Sequence, residues 1–358
     1  METSFRRRRI ASRHWRATQH GRHGRADQSR AGFVILVTGG CGFVGRHVVA
    51  ALGRRPGIGR VRVLDTQHAN DQDEAAVEMV QGSVTDPAVV RGAVKGVHAV
   101  VHLAAKVDPR STNLNDLRAV NVEGTRIVLA AAVEARCALF LHLSSAGVYG
   151  HPRGDRPFVE SDQPNPTTPY QRSKWEAEQV IKSTDVANTV VNVLRPTGIY
   201  GPGSQLELPA YRKVATRRFV LELSGGVIVH PAYVGDVAAA ICAMLEEPAP
   251  HGTVLNLGGE RPVRTEDLYE LVGQTMQVRR HRFRIPAGVT SPPARVTARI
   301  LAALGRPEPR LLLFSRGANL SAGVDDTAFR ARYPNAPVAS LRQGVQEHIN
   351  WARNEGLL

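Results

Sequence analysis

Short apolar runs recur along the chain, each ending in small or polar residues and each followed by helical periodicity. Phe33 to Val37, Val61 to Leu64, Val77 to Val80, Ala99 to Ala105, Leu139 to Leu143 and Thr189 to Leu194 read as strands. Several are apolar throughout, the pattern of a strand covered on both faces of a parallel sheet. Helical patterns lie between them, after Gly45, after Pro87, from about Leu117 to Ala135 and from Tyr170 to Ser183. This alternation predicts an α/β fold, a Rossmann-type doubly wound parallel sheet, over residues 31–201. Beyond Pro202 the pattern changes to helices near 206–217, 234–246, 265–276 and 338–351, separated by short strands and prolines. Residues 202–358 therefore read as a smaller, mostly helical C-terminal substrate lobe that lends the sheet a strand near Val254 to Leu257.

Charge alters this picture only at the N-terminus. The 358 residues carry a net charge of +14, but residues 1–30 hold nine arginines against Glu2 and Asp27, half of that excess. The stretch lacks apolar periodicity and reads as a disordered basic extension, the fold beginning near Phe33. Arg6 to Arg9 are followed by no apolar run, so an export signal is not expected, nor is nucleic acid as a partner. No apolar run reaches the roughly 20 residues needed to span a bilayer. Cys41, Cys137 and Cys242 offer no paired spacing and no metal motif, which fits a reducing, cytoplasmic setting.

The first strand carries the first chemistry. It runs into Gly39, Gly42 and Gly45 and then a helix, with Phe43 and Val44 inside the turn. Glycines let backbone approach a pyrophosphate, and the N–H groups of the helix start favour its charge. The second strand ends at Asp65, about 20 residues on, where a carboxylate accepts from both ribose hydroxyls of NAD and repels the 2′-phosphate of NADP. Thr66 and Gln67 follow, so no adjacent arginine is offered to such a phosphate.

Tyr170 and Lys174 stand four residues apart on a predicted helix, hence on one face. The ammonium is expected to lower the phenol pKa from about 10 towards working pH. The tyrosine then exchanges a proton with a substrate oxygen while the cofactor exchanges a hydride. Lys174 is placed to hold the nicotinamide ribose as well. Ser145, at the end of the fifth strand, is placed to bond the same substrate oxygen.

These stretches resemble the extended short-chain dehydrogenase/reductases, the NAD-dependent epimerase/dehydratase family. The resemblance runs through Thr38-Gly-Gly-Cys-Gly-Phe-Val-Gly45, His102-Leu-Ala-Ala105, Asn121-Val-Glu-Gly-Thr125, Ser144-Ser-Ala-Gly-Val-Tyr-Gly150, Tyr170-x-x-Ser-Lys174, Leu194-Arg-Pro-Thr-Gly-Ile-Tyr-Gly-Pro-Gly203 and Tyr233-Val-Gly-Asp-Val237. It implies NAD as cofactor and a Ser145–Tyr170–Lys174 catalytic set supported by Asn121. It also implies cofactor contacts from Ser83, Val84, Leu103, Ala104, Ala105 and Pro196, and a homodimer through the helices bearing Asn121 and Tyr170. Where many relatives place an aspartate after the adenine-loop glycine, this chain has Gly82-Ser83; Asp86 either substitutes or caps the helix before Pro87.

Two departures bear on the substrate. Gly198 stands where nucleotide-sugar enzymes of the family often have asparagine, and no arginine precedes Tyr233 in Val229-His-Pro-Ala-Tyr233. The pattern is closer to the 3β-hydroxysteroid dehydrogenase and dihydroflavonol reductase side of the family. Arg212, Arg217 and Arg218 are the alternatives for a diphosphate clamp. His230 is either a substrate ligand or a structural histidine ahead of Pro231. The leading expectation is an NAD-dependent oxidoreductase acting on a secondary alcohol or ketone. The alternatives are an NDP-sugar 4-epimerase or dehydratase with tightly held NAD, and a non-catalytic dinucleotide sensor.

Overall fold

The computed structural model describes residues 32–67, 77–107, 113–151, 156–216, 219–223, 228–278, 281–285 and 323–358. The basic extension, most of the polar loop after Gln67, and Arg217 and Arg218 lie outside them. Seven strands form one parallel sheet: β1 (Phe33–Thr38), β2 (Ile58–Asp65), β3 (Val77–Gln81), β4 (Ala99–His102), β5 (Leu139–Leu143), β6 (Val190–Pro196) and β7 (Thr253–Leu257). Their order is β7-β6-β5-β4-β1-β2-β3. The chain builds outward from β1 in one direction, then crosses back through β4 and builds in the other. The switch point lies between β1 and β4, where the carboxyl ends of the strands open a crevice.

Helices cover both faces. On one, α1 (Phe43–Gly53) packs with the later helix α7 (Val234–Glu246), burying Val48, Leu52, Val237 and Ile241 against Ile35, Val37 and Val63. On the other lie α2 (Pro87–Ala93), α4 (Thr125–Glu134) and α5 (Pro169–Ser183), over Leu36, Leu64, Val100 and Phe140. Between β4 and α4 the chain forms α3 (Leu114–Arg118) and then a π-helical turn, Ala119–Gly124, where an uninterrupted α-helix was expected. The wider turn holds Asn121 in the interior.

The C-terminal half is shared between the sheet unit and a second core. α7 and β7 complete the sheet unit. The second core joins α6 (Leu208–Thr216), α8 (Thr265–Thr275) and α10 (Leu341–Asn354) through Tyr211, Val214, Val272, Val345 and Ile349. A short helix α9 (Thr327–Arg332) returns Phe329 to the sheet unit. Two-stranded pairs such as Ile199–Tyr200 with Ala232–Tyr233 tie the two cores together.

Candidate active site

The glycine turn sits at the switch point. Gly39 has φ +73°, a left-handed conformation that disfavours a side chain, and a Cβ there would lie 2.8 Å from the Ala104 Cα. A Cβ on Gly45 would lie 2.1 Å from the Gly39 carbonyl oxygen. The loops after β1 and β4 therefore meet backbone to backbone. Gly42 begins α1 with no side-chain cap, which leaves the first N–H groups of the helix, including those of Phe43 and Val44, for an anion. Asp65 closes the other side: its carboxylate accepts from the Cys41 N–H at 2.9 Å and from the Gln67 N–H at 3.0 Å. An uncapped helix, a cradle with no room for a Cβ and a carboxylate beside it together fit a dinucleotide.

The other expected contacts fall around this crevice unequally. Leu103, Ala104 and Ala105 follow β4, and Pro196 ends β6. The Ser83 hydroxyl is 2.7 Å from that of Thr85 and accepts from the Thr85 N–H, so it is already used within its own turn. Val84 is buried beneath Gly124, where a Cβ would meet its side chain at 2.8 Å. Asp86 accepts from the Ala88 and Val89 N–H groups and so caps α2.

The proton-transfer candidates come together at the N-terminal turns of α5. A reciprocal capping box, Thr168 with Gln171, starts this helix immediately before Tyr170. Ser145 accepts from the Gly147 N–H at 3.0 Å, which leaves its own hydroxyl hydrogen to donate. Ser145 and Tyr170 both line a cavity of about 580 Å³. Lys174 is buried and donates to the Leu143 carbonyl at 2.8 Å.

The electrostatics differ from the sequence expectation at one point. Burial pushes the Tyr170 phenol up to about 12, and no neighbouring charge offsets it. The Lys174 ammonium is committed to the Leu143 carbonyl and is itself lowered to about 8 by burial, with Glu178 acting in the opposite sense. As it stands, the phenol is neutral.

Asn121 supports this arrangement from the π-helical turn. Its amide accepts from the Lys106 N–H at 2.7 Å, donates to the Lys106 carbonyl at 3.1 Å and donates to Ser173 on α5 at 2.9 Å. Behind it runs a buried chain that spacing alone did not reveal. Ala104 N–H donates to the Thr38 hydroxyl, which donates to His102 Nδ1 at 2.7 Å. His102 Nε2 donates to the Thr125 hydroxyl at 3.0 Å, which donates to the Asn121 carbonyl at 2.7 Å. Burial, aided by Lys174, lowers His102 to about 3, so this histidine is a neutral connector.

A second network missed in the sequence lies one turn beyond Lys174. Glu178 takes a two-pronged contact from Arg195 of β6, at 3.0 and 2.6 Å, and a hydrogen bond from Ser144. Arg195 donates onward to the Tyr149 hydroxyl at 2.8 Å, and Tyr149 donates to Asn256 of β7 at 2.8 Å. Arg195 and Glu178 are each only about 5% exposed. Arg195 stands inside the quoted Leu194-Arg-Pro motif, which marked its position but not its partner.

The cavity beyond Tyr170 has a different character. Among the described residues its titratable lining groups are Tyr170, Tyr200, Glu207, Tyr211 and His230, with no lysine or arginine. Burial raises the three phenols and the Glu207 carboxyl and lowers His230, so each is driven towards its uncharged form. His230 is held on both sides by backbone: Nε2 donates to the Gly259 carbonyl and Nδ1 accepts from the Val324 N–H. That is the structural reading of this residue. Arg212, one of the alternative clamps, donates instead to the Leu357 carbonyl at 2.8 Å.

Comparison with known proteins accords with this geometry. The profile of the 3-beta hydroxysteroid dehydrogenase/isomerase family matches residues 36–276. The human 3 beta-hydroxysteroid dehydrogenase type 7 is 36% identical over 208 residues, 52% of this chain and 56% of that protein. The monkeypox virus 3 beta-hydroxysteroid dehydrogenase/Delta 5→4-isomerase is 30% identical over 224 residues, 57% of this chain and 64% of that protein. The matched stretch is thus less than two thirds of either relative. Among solved structures, the UDP-glucose 4-epimerase of Thermotoga maritima superposes with a TM-score of 0.72 at 20% identity, over 90% of this chain and 99% of that one. The dTDP-glucose 4,6-dehydratase of Streptomyces venezuelae gives 0.71 at 21%, over 91% and 100%. These last two likenesses establish the fold.

Proposed function

Because the chain belongs to the 3-beta hydroxysteroid dehydrogenase/isomerase family, we propose that it is an NAD-dependent oxidoreductase. Its substrate is a neutral, largely apolar secondary alcohol of hydroxysteroid type, or the corresponding ketone. The observation that carries this reading is a cavity lined, among the described residues, by no lysine or arginine. A nucleotide diphosphate brings negative charge that needs cations or a row of N–H donors. Here burial drives each titratable lining group towards its uncharged form, no lysine or arginine among the described residues lines the cavity, and Arg212 is turned to Leu357.

NAD bound in the crevice supplies the hydride acceptor. Gly39, Gly42 and Gly45 would receive its pyrophosphate with the N–H groups at the start of α1. Asp65 would accept from the adenosine ribose, and Leu103, Ala104, Ala105 and Pro196 would flank it. Ser145 donates to the substrate oxygen and fixes it beside Tyr170. A phenol near 12 keeps its proton at neutral pH, so Tyr170 as it stands is set to protonate the alkoxide that develops when a ketone is reduced. Alcohol oxidation requires the phenolate. The ammonium of Lys174, one turn along the helix and with two hydrogens left after Leu143, is the group that would stabilise it.

The test is nicotinamide absorbance during incubation with 3β-hydroxysteroids, using NAD and NADP in turn. NAD-dependent conversion is expected, with NADP inferior because Asp65 repels its 2′-phosphate. No conversion, together with a nucleotide sugar that co-purifies with the protein, would overturn the reading in favour of an epimerase or dehydratase.

A further inference from the structure

Of the groups lining the cavity that the proton-transfer chemistry does not use, Glu207 is the one carboxyl. It precedes α6, on the wall built by the C-terminal elements with Tyr211 and Leu268. One carboxyl oxygen, Oε2, accepts from the Ser204 hydroxyl at 2.5 Å. Ser204 is itself fixed: its N–H donates to the Gly201 carbonyl, and its carbonyl accepts from Nε2 of the buried His348 at 3.0 Å. The backbone carbonyl of Glu207 receives the Ala210 and Tyr211 N–H groups. The carboxyl is therefore held on the cavity wall by its own loop and its own backbone N–H, and among the described residues no residue other than Ser204 bonds to it.

An acid in a pocket that otherwise suppresses charge is costly unless a ligand answers it. Resting on the reading above, we propose that Glu207 is a specificity residue that binds a second hydroxyl of the substrate, away from the carbon oxidised at Tyr170. The protein's preferred substrate is then a diol with an apolar body between its two oxygens. A hydroxyl fits better than a ketone or an amine because it both donates and accepts. It can therefore pair with Oε1 whether the carboxyl is ionised or, as its burial favours, protonated. A ketone answers only the protonated acid, and an ammonium is well answered only by the carboxylate.

The experiment compares a 3β-hydroxysteroid carrying a second hydroxyl at the far end of the ring system with its analogue lacking that group. Dissociation constants by calorimetry and kcat/KM are measured for wild type, Glu207→Gln and Glu207→Leu. In wild type the diol should bind about tenfold to a hundredfold more tightly, the effect of leaving a sequestered polar group unanswered. Glu207→Leu should abolish the difference by weakening the diol alone, and Glu207→Gln, which still bonds a hydroxyl, should restore part of it. Thermal melting of the variants separates this from a role in starting α6. Equal binding of the two ligands by wild type, or the same preference in wild type and Glu207→Leu, would overturn the proposal. A Glu207-dependent binding preference without turnover would uphold the proposal and count against the oxidoreductase reading alone.

Discussion

Beneath Tyr170 the protein buries one opposed pair of charges, whereas in the cavity in front of it burial drives the titratable groups towards their uncharged forms. Arg195 and Glu178 lie within 2.6 Å of each other under α5, and Ser144, Tyr149 and Asn256 bond the remaining edges. Across the helix, five titratable groups face one cavity and burial pushes each towards neutrality. The difference lies in partners. A buried ion is tolerated where each lone pair and hydrogen is answered within the protein, as around Glu178. Where the partner is to be a substrate, only groups that survive without one can line the space. The network thus positions the helix, and the cavity selects what approaches it.

Breaking the first region should have the largest effect on activity at Tyr170 itself. Tyr170→Phe keeps the ring but removes the phenol oxygen, so turnover should fall by about 10²–10⁴ while NAD binding and melting temperature stay close to wild type. Turnover near that of wild type would reduce Tyr170 to a residue that lines the cavity. Next in size is the ion pair. Glu178→Ala leaves Arg195 buried and unpaired, and denaturant unfolding should register a loss of about 3–5 kcal/mol. The double variant Glu178→Leu with Arg195→Leu should recover a good part of that loss; no recovery would mean that the pair matters through packing rather than charge.

A smaller effect should appear with pH. Lys174, lowered to about 8 by burial, is protonated below that pH and loses its charge as pH rises through it. Tyr170, near 12, stays neutral throughout the same range. Oxidation needs the phenolate and the ammonium together, so it should rise with pH up to about 8, approaching tenfold per unit, and level off above it, where loss of the ammonium cancels the gain in phenolate. Lys174→Met should be slower at neutral pH and should keep rising through pH 8 with no levelling. A wild-type profile that keeps rising from pH 8 to 10 would remove Lys174 from the chemistry.

The two regions were also unequally legible in the sequence. The cofactor side is encoded locally: a strand, three glycines and a helix start lie within 13 residues of one another, and Asp65 follows at the next strand's end. Tyr170 and Lys174 share a helix face for the same reason. The cavity draws on residues as far apart as Ser145, Glu207, His230, Leu268 and Val324, joined only by tertiary packing, so Glu207 left no signal of its own. The ion pair was half visible: Arg195 stood in a recognisable motif, but its partner arrives from α5 across the sheet. The expected effect of Lys174 on Tyr170 misled because helical spacing gives a shared face, not the direction of an ammonium. Here a strand-end carbonyl, Leu143, takes that ammonium.

The central claim is that the cavity accepts a neutral apolar substrate and not a nucleotide diphosphate. Calorimetry of UDP against the NAD-loaded protein tests it most directly, beside a 3β-hydroxysteroid under the same conditions. The account predicts a dissociation constant for UDP on the order of a millimolar or weaker, with the steroid at least about tenfold tighter. Micromolar binding of UDP would contradict it and would assign the cavity to a sugar nucleotide.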